Sequence, residues 1–287
     1  AAGVNDNGAF PYLRSHPLSS ERMADMQARQ QLQTPRAPDA SMDLVQAMMS
    51  ARARSLAQPG VDALRAWATE ASDASVAKQA PAKQAGILYG ASLSWLQLRE
   101  LPQARALIPR LKQVTAHHEP SKRLVTLLEA ELSFKEDNMR SVLKTLQHVS
   151  DQAHSMWQRP ELFYLAQASS RLQVSSASAE TTQTLAKVIS ALQQWVLQNP
   201  QDGQAWQVLA TALAAQGRPL PSLRAEGESQ LARMDFGAAV DRFKAAQDAS
   251  RRMNAAQADH IEASIVDARL RFAQGLLREQ MLERQDR

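Results

Sequence analysis

Residues 89–111, YGASLSWLQLRELPQARALIPRL, constrain the fold more than any other stretch of this chain. They read as a helix, a tight turn and a second helix. Tyr89-Gly90 opens the first helix. In the second, Ala104, Ile108 and Leu111 stand at i, i+4 and i+7, which puts them on one helical face. The leading residue of that stripe is small, so a neighbouring helix can approach closely.

The rest of the composition agrees with an all-α chain. Of 287 residues, 44% are apolar, enough for a sizeable core, while β-branched runs of strand type are nearly absent. The net charge of +4 comes from 33 basic and 29 acidic residues that interleave along the chain. No basic stripe forms, so nucleic acid is not an expected partner. There is no cysteine, which removes disulfides and thiolate metal sites from consideration. No apolar run reaches the roughly 20 residues a membrane helix needs.

Helical periodicity and breakers place the remaining elements. A helix is expected over 41–57, ended by Pro59-Gly60, and another from Val61. Helix pairs then follow: 84–98 with 102–113, 121–134 with 138–148, and 160–172 with 180–197. Segments 204–215, 221–233 and 236–247 continue the series. The stripe Ala104, Ile108, Leu111 recurs as Val142, Leu146, Val149 and as Ala239, Phe243, Ala246. The last segment, 255–281, carries Ile261, Ile265, Ala268, Phe272 and Leu276 on one stripe. It is expected to cap the array with those residues inward and a charged face outward. A coiled coil with a partner is the other reading of that stripe.

These units resemble tetratricopeptide (TPR) repeats, in which a small residue followed by large ones recurs through paired helices. Asp235-Phe236-Gly237-Ala238-Ala239 is similar to the turn of that family. The spacing, about 38 to 45 residues, is looser than the ideal 34. The expected fold is an all-α, TPR-like helix-pair solenoid with a long C-terminal capping helix, over residues 39–287. First helices should line the inner curve, with Tyr89, Phe163, Gln167 and Arg171 as partner-binding residues. The loop at His117-His118 is a rival contact point.

Catalytic chemistry finds little footing. A zinc peptidase helix needs H-E-x-x-H, so that two histidines share a face and a glutamate serves as base. The nearest text, His118-Glu119-Pro120, is followed by Lys122 where the second histidine would stand. No phosphate-binding or nucleophile-elbow motif is present. The five tryptophans, Trp67, Trp95, Trp157, Trp195 and Trp206, read as core.

The N-terminal text adds a second resemblance. Residues 10–18, FPYLRSHPL, followed by Glu21-Arg22-Met23-Ala24-Asp25, are similar to the end of the peptidase domain in BepA-type periplasmic zinc metalloproteases, which continue into TPRs. The resemblance implies that residues 1–38 are the remnant of a peptidase domain plus linker. It implies that the zinc ligands lie upstream of Ala1, so that zinc belongs to a parent protein and no cofactor to this chain. His16 matches the family histidine that can reach the zinc as a regulatory plug. The expected location is the periplasm. The expected partners are protein or peptide segments, including outer-membrane protein substrates and the β-barrel assembly complex. A stand-alone TPR scaffold or co-chaperone is the alternative.

Overall fold

The computed structural model describes residues 19–31, 40–150, 157–252 and 259–285. His16 lies outside them. Two compact units divide the chain, Ala1–Ala40 and Ser41–Arg287. In the first, helix α1 (Ser19–Gln31) turns Met23 and Met26 to solvent.

The second unit is helical throughout, with no strand among the described residues. Its helices are α2 (Ala40–Leu56), α3 (Val61–Glu70), α4 (Pro81–Gln97), α5 (Leu101–Ala106), α6 (Ile108–Val114), α7 (Glu119–Lys135) and α8 (Met139–Ser150). They continue with α9 (Arg159–Ser176), α10 (Ala179–Gln198), α11 (Gly203–Ala215), α12 (Pro219–Ala232), α13 (Phe236–Arg252) and α14 (His260–Gln285). A 3-10 turn, Ala74–Lys78, joins α3 to α4.

Local chemistry explains where these helices start. Pro81, Pro102, Pro109, Pro120, Pro160 and Pro219 each sit in the first turn, where the missing N–H costs nothing. Asp202 caps α11 by accepting from Ala205 N at 3.0 Å, and Ser178 with Thr181 forms a capping box on α10. Pro109 also corrects an expectation. Residues 102–113 are not one helix, because Pro109 cannot donate to Arg105 and the chain breaks at Leu107.

One turn recurs four times. Arg99, Asp137, Gly217 and Met234 follow α4, α7, α11 and α12 with φ of 62°, 58°, 79° and 60°. The residue after each donates back across the helix end: Glu100 to Trp95 O, Asn138 to Ser133 O, Arg218 to Leu213 O and Asp235 to Gln230 O, at 2.9 to 3.0 Å. This satisfies carbonyls that the last helical turn leaves free. The small position expected at the helix contact is present in space. Ala104 is fully buried, and its carbonyl accepts from Ser92 Oγ at 3.0 Å. Gly86 and Gly90 of α4 lie so close to α2 that a Cβ on either would stand 3.2 Å from Ala47 or Ala51 Cβ.

Among the described residues the buried apolar side chains form four clusters. Leu88, Tyr89, Leu93, Leu111 and Leu128 centre the cluster of α2 to α7, and Leu146, Leu165, Val188, Leu209 and Leu213 that of α7 to α12. First helices meet directly, α4 with α7, α7 with α9 and α9 with α11. Beyond α11 the pattern shifts. Helix α12 packs on both α11 and α13 and then meets α14. Both ends of α12 carry the same helix-to-helix turn, so it is the second helix of one pair and the first of the next.

Helix α14 departs from the expectation. Val266, Leu270 and Ala273 are its buried residues, while Ile261, Ile265, Ala268 and Phe272 face solvent. The helix carries two apolar stripes, and the packing on α13 selects the shorter one. Its outer surface therefore carries an apolar stripe beside the exposed charges of Asp267 and Arg271.

A candidate docking face on the first helices

Arg52 of α2 begins the site. Its guanidinium donates to Glu131 Oε2 of α7 at 2.9 Å and to the Tyr89 hydroxyl of α4 at 3.4 Å. One arginine thus ties three first helices together. Burial opposes its charge, but Glu131 and Tyr89 outweigh that and hold it protonated. Burial pushes the Tyr89 hydroxyl up from its ordinary value, with Arg52 pulling the other way.

Beside this network stands an aromatic pair. The rings of Phe134 and Tyr164 meet edge to face, 5.6 Å between centroids at 66°. Burial, then the Glu131 carboxylate, raises the Tyr164 hydroxyl, so it stays neutral and keeps its proton for donation. The Arg171 guanidinium lies 4.6 Å from the centre of the Phe134 ring. It also pairs with Asp137 Oδ1 at 3.1 Å, on the turn that ends α7. The Arg171 side chain keeps 53% of its surface exposed. Gln167 is half-buried beside it on α9, its Nε2 donating to Phe163 O at 3.1 Å.

The four expected partner-binding residues therefore separate. Arg171 and Gln167 present polar atoms at the surface. Tyr89 is only 1% exposed, sealed beneath Arg52 and Glu131. Phe163 is buried as well, under the Arg159 guanidinium at 4.3 Å. The expectation of groove-facing rings at Tyr89 and Phe163 is thus corrected: both rings are supports for the face. On α9, Tyr164, Gln167 and Arg171 share the outward stripe at i, i+3 and i+7, and Phe163 falls one residue off it. That spacing was the signal for Tyr164. No comparable signal announced Arg52 and Glu131, which lie far apart in sequence.

A second cluster braces the next helix junction. Arg159 forms a bidentate pair with Asp202 at 2.7 and 3.0 Å and also donates to Gln204 Oε1 at 3.0 Å. Trp195 Nε1 donates to the same Asp202 carboxylate at 3.0 Å. The Arg159 hydrogen bond, with further donors, lowers the Asp202 carboxyl to about 2. Arg123 closes on Glu161 at 2.6 and 2.7 Å, with the Glu161 side chain wholly buried. These pairs link α7 to α9 and α9 to α11, fixing the layer on which Tyr164 and Arg171 stand.

Among the described residues no group of three or more His, Asp or Glu side chains is placed to hold an ion, so they do not fit a zinc centre. His117 is exposed, and His118 Nδ1 is engaged with Ser121 Oγ at 2.7 Å at the start of α7. No helix among the described residues is long and apolar enough to cross a membrane. Compared with known proteins, the chain matches no family model and no curated sequence.

Proposed function

We propose that this chain is a protein-binding module that receives an extended polypeptide segment across its first helices. The supporting observation is the strip formed by Phe134, Tyr164, Gln167 and Arg171. It offers an aromatic edge, a half-exposed cation and an amide side by side. Arginine and tyrosine are common anchors in protein interfaces because each combines a flat apolar surface with donors. The strip stands on helices already locked by ion pairs, so little ordering entropy opposes binding.

In the reading that the N-terminal resemblance suggests, the module serves a periplasmic zinc metalloprotease. It would hold outer-membrane protein substrates, or subunits of the β-barrel assembly complex, for a catalytic part that this chain does not contribute. An unfolded outer-membrane β-barrel protein, fluorescently labelled, is the probe that tests this. Binding should be saturable, and Arg171→Glu and Tyr164→Ala should each weaken it about 10-fold or more. Unchanged affinity in both variants, with unchanged helicity, would overturn the assignment of the face.

A further inference from the structure

Two cavities stand at corresponding places in the array. One, of about 360 Å³, lies between the turn that follows α7 and the last turns of α9, with Asp137, Met139, Arg140, Arg171 and Leu172 in its walls. The other, of about 630 Å³, lies between the turn that follows α11 and the last turn of α13. Arg218, Leu220, Pro221, Arg252 and Asp259 are in its walls. Each helix pair returns the chain, and α7, α9 and α11 pack side by side. Both cavities therefore lie along the edge where first helices end.

The two cavities share a chemistry. Each has an apolar floor: Met139 and Leu172 in one, Leu220 and Pro221 in the other, all buried. Each is walled by two arginines and one aspartate, which leaves one positive charge. The side chains of Arg140, Arg218 and Arg252 are exposed and have no ion-pair partner among the described residues. Both aspartates are already engaged. Asp137 pairs with Arg171 at 3.1 Å, and Asp259 Oδ1 accepts from Glu262 N at 2.9 Å. An apolar floor under guanidiniums suits a side chain with an aliphatic stem and one carboxylate. A dianionic phosphate would bring its second charge against the aspartate.

We propose that this edge recognises acidic side chains of a bound polypeptide, one carboxylate between Arg140 and Arg171 and another between Arg218 and Arg252. The proposal rests on the reading of the chain as a protein-binding module and adds what the bound segment must carry. Arg171 also belongs to the docking strip, so the first cavity continues that face. Packed helices lie about 8–10 Å apart. Two such steps put the cavities roughly 20 Å apart, which about six extended residues span. One segment must then offer two carboxylates at about that spacing. Side chains can supply both, whereas a chain end supplies only one.

Fluorescence anisotropy on the full chain tests it. The probe is a labelled, unstructured peptide blocked at both ends, with two glutamates about six residues apart. One control peptide has glutamine at both positions. A second has the glutamines and a free C-terminal carboxylate. The glutamate peptide should bind at least about 10-fold more tightly than either control. Arg140→Gln with Arg218→Gln should reduce that preference to under about 2-fold. Helicity should hold in this variant, since both side chains are exposed and unpaired. Asp137→Asn removes the internal competitor for Arg171 and keeps a residue suited to the left-handed turn. It should tighten the glutamate peptide by about 2-fold or more. Equal affinity for the glutamate and glutamine peptides would overturn the proposal and leave the docking strip standing. Binding of neither peptide would overturn it too, and the docking strip is then decided by the unfolded barrel protein. A preference for the free chain end, a preference kept by the double variant, or no gain from Asp137→Asn would each overturn it as well.

Discussion

Helices α4 to α9 and helices α11 to α14 use the same turn and build different arrays. In the first region each turn closes one pair, and a longer connection leads to the next. The buried clusters there are large, and first helices touch first helices. In the second region two such turns flank α12, so one helix serves two pairs. Apart from the large cluster that α11 and α12 share with α9, its two clusters are small: Ala239, Val240, Phe243, Leu270 and Ala273 in one, Leu220, Ala246 and Val266 in the other. The same turn therefore joins adjacent helices in both regions without setting the length of the repeat. Stability should be concentrated in the first region and specific close contacts in the second.

The largest expected effect lies at the α7–α9 junction. Arg123→Ala leaves Glu161 buried without its partner, and should cost about 3–5 kcal/mol in chemical denaturation. Removing the exposed pair through Asp137→Ala should cost under about 1 kcal/mol. Equal losses would mean that the buried pairs do not hold the first-helix layer.

Next is Gly227→Ala in α12. A Cβ there would stand 2.5 to 2.8 Å from the Phe243 ring, which is itself fully buried. Overpacking of about 1–3 kcal/mol is expected, felt chiefly in α12 to α14. Hydrogen exchange should show those helices opening while α4 to α9 stay protected. Uniform loss of protection would show that the two regions fold as one cooperative unit.

Acid titration separates the regions by a smaller margin. Asp202 titrates at about 2 in the folded chain against an ordinary 3.8, chiefly through Arg159. Its contribution is present above the ordinary value and is lost as pH falls from there toward 2. Asp202→Asn should remove about 1–2 kcal/mol at neutral pH and flatten the acid limb. An acid limb unchanged by that substitution would contradict the pairing.

The smallest effect has the opposite sign. Arg99 and Met234 hold left-handed backbone at turns in the two regions, where Gly217 does so without strain. Arg99→Gly and Met234→Gly should each stabilise by about 0.5–1 kcal/mol, read as a rise in melting temperature. A fall at either position would mean that the side chain makes a contact worth more than the strain.

Much of this fold was legible in the sequence because its determinants are local. Prolines mark helix starts, and the stripe of Ala104, Ile108 and Leu111 marks a buried face. The orientation of α14 was not legible. Its two apolar stripes are both helical, and only packing on α13 decides which is inside. The face on α9 was half legible. Gln167 and Arg171 follow from periodicity, but the burial of Tyr89 depends on Arg52 and Glu131 meeting across three helices. No periodic pattern encodes such a meeting.

The docking face is tested most directly by site-specific photocrosslinking on the whole protein. Photoreactive residues go at Gln167 and Arg171 on a first helix, and at the exposed Lys144 and Lys187 on second helices. The probe is an unfolded outer-membrane β-barrel protein. Crosslinks should concentrate at Gln167 and Arg171. Yields as high at Lys144 and Lys187, or higher, would contradict the assignment of the docking face to the first helices.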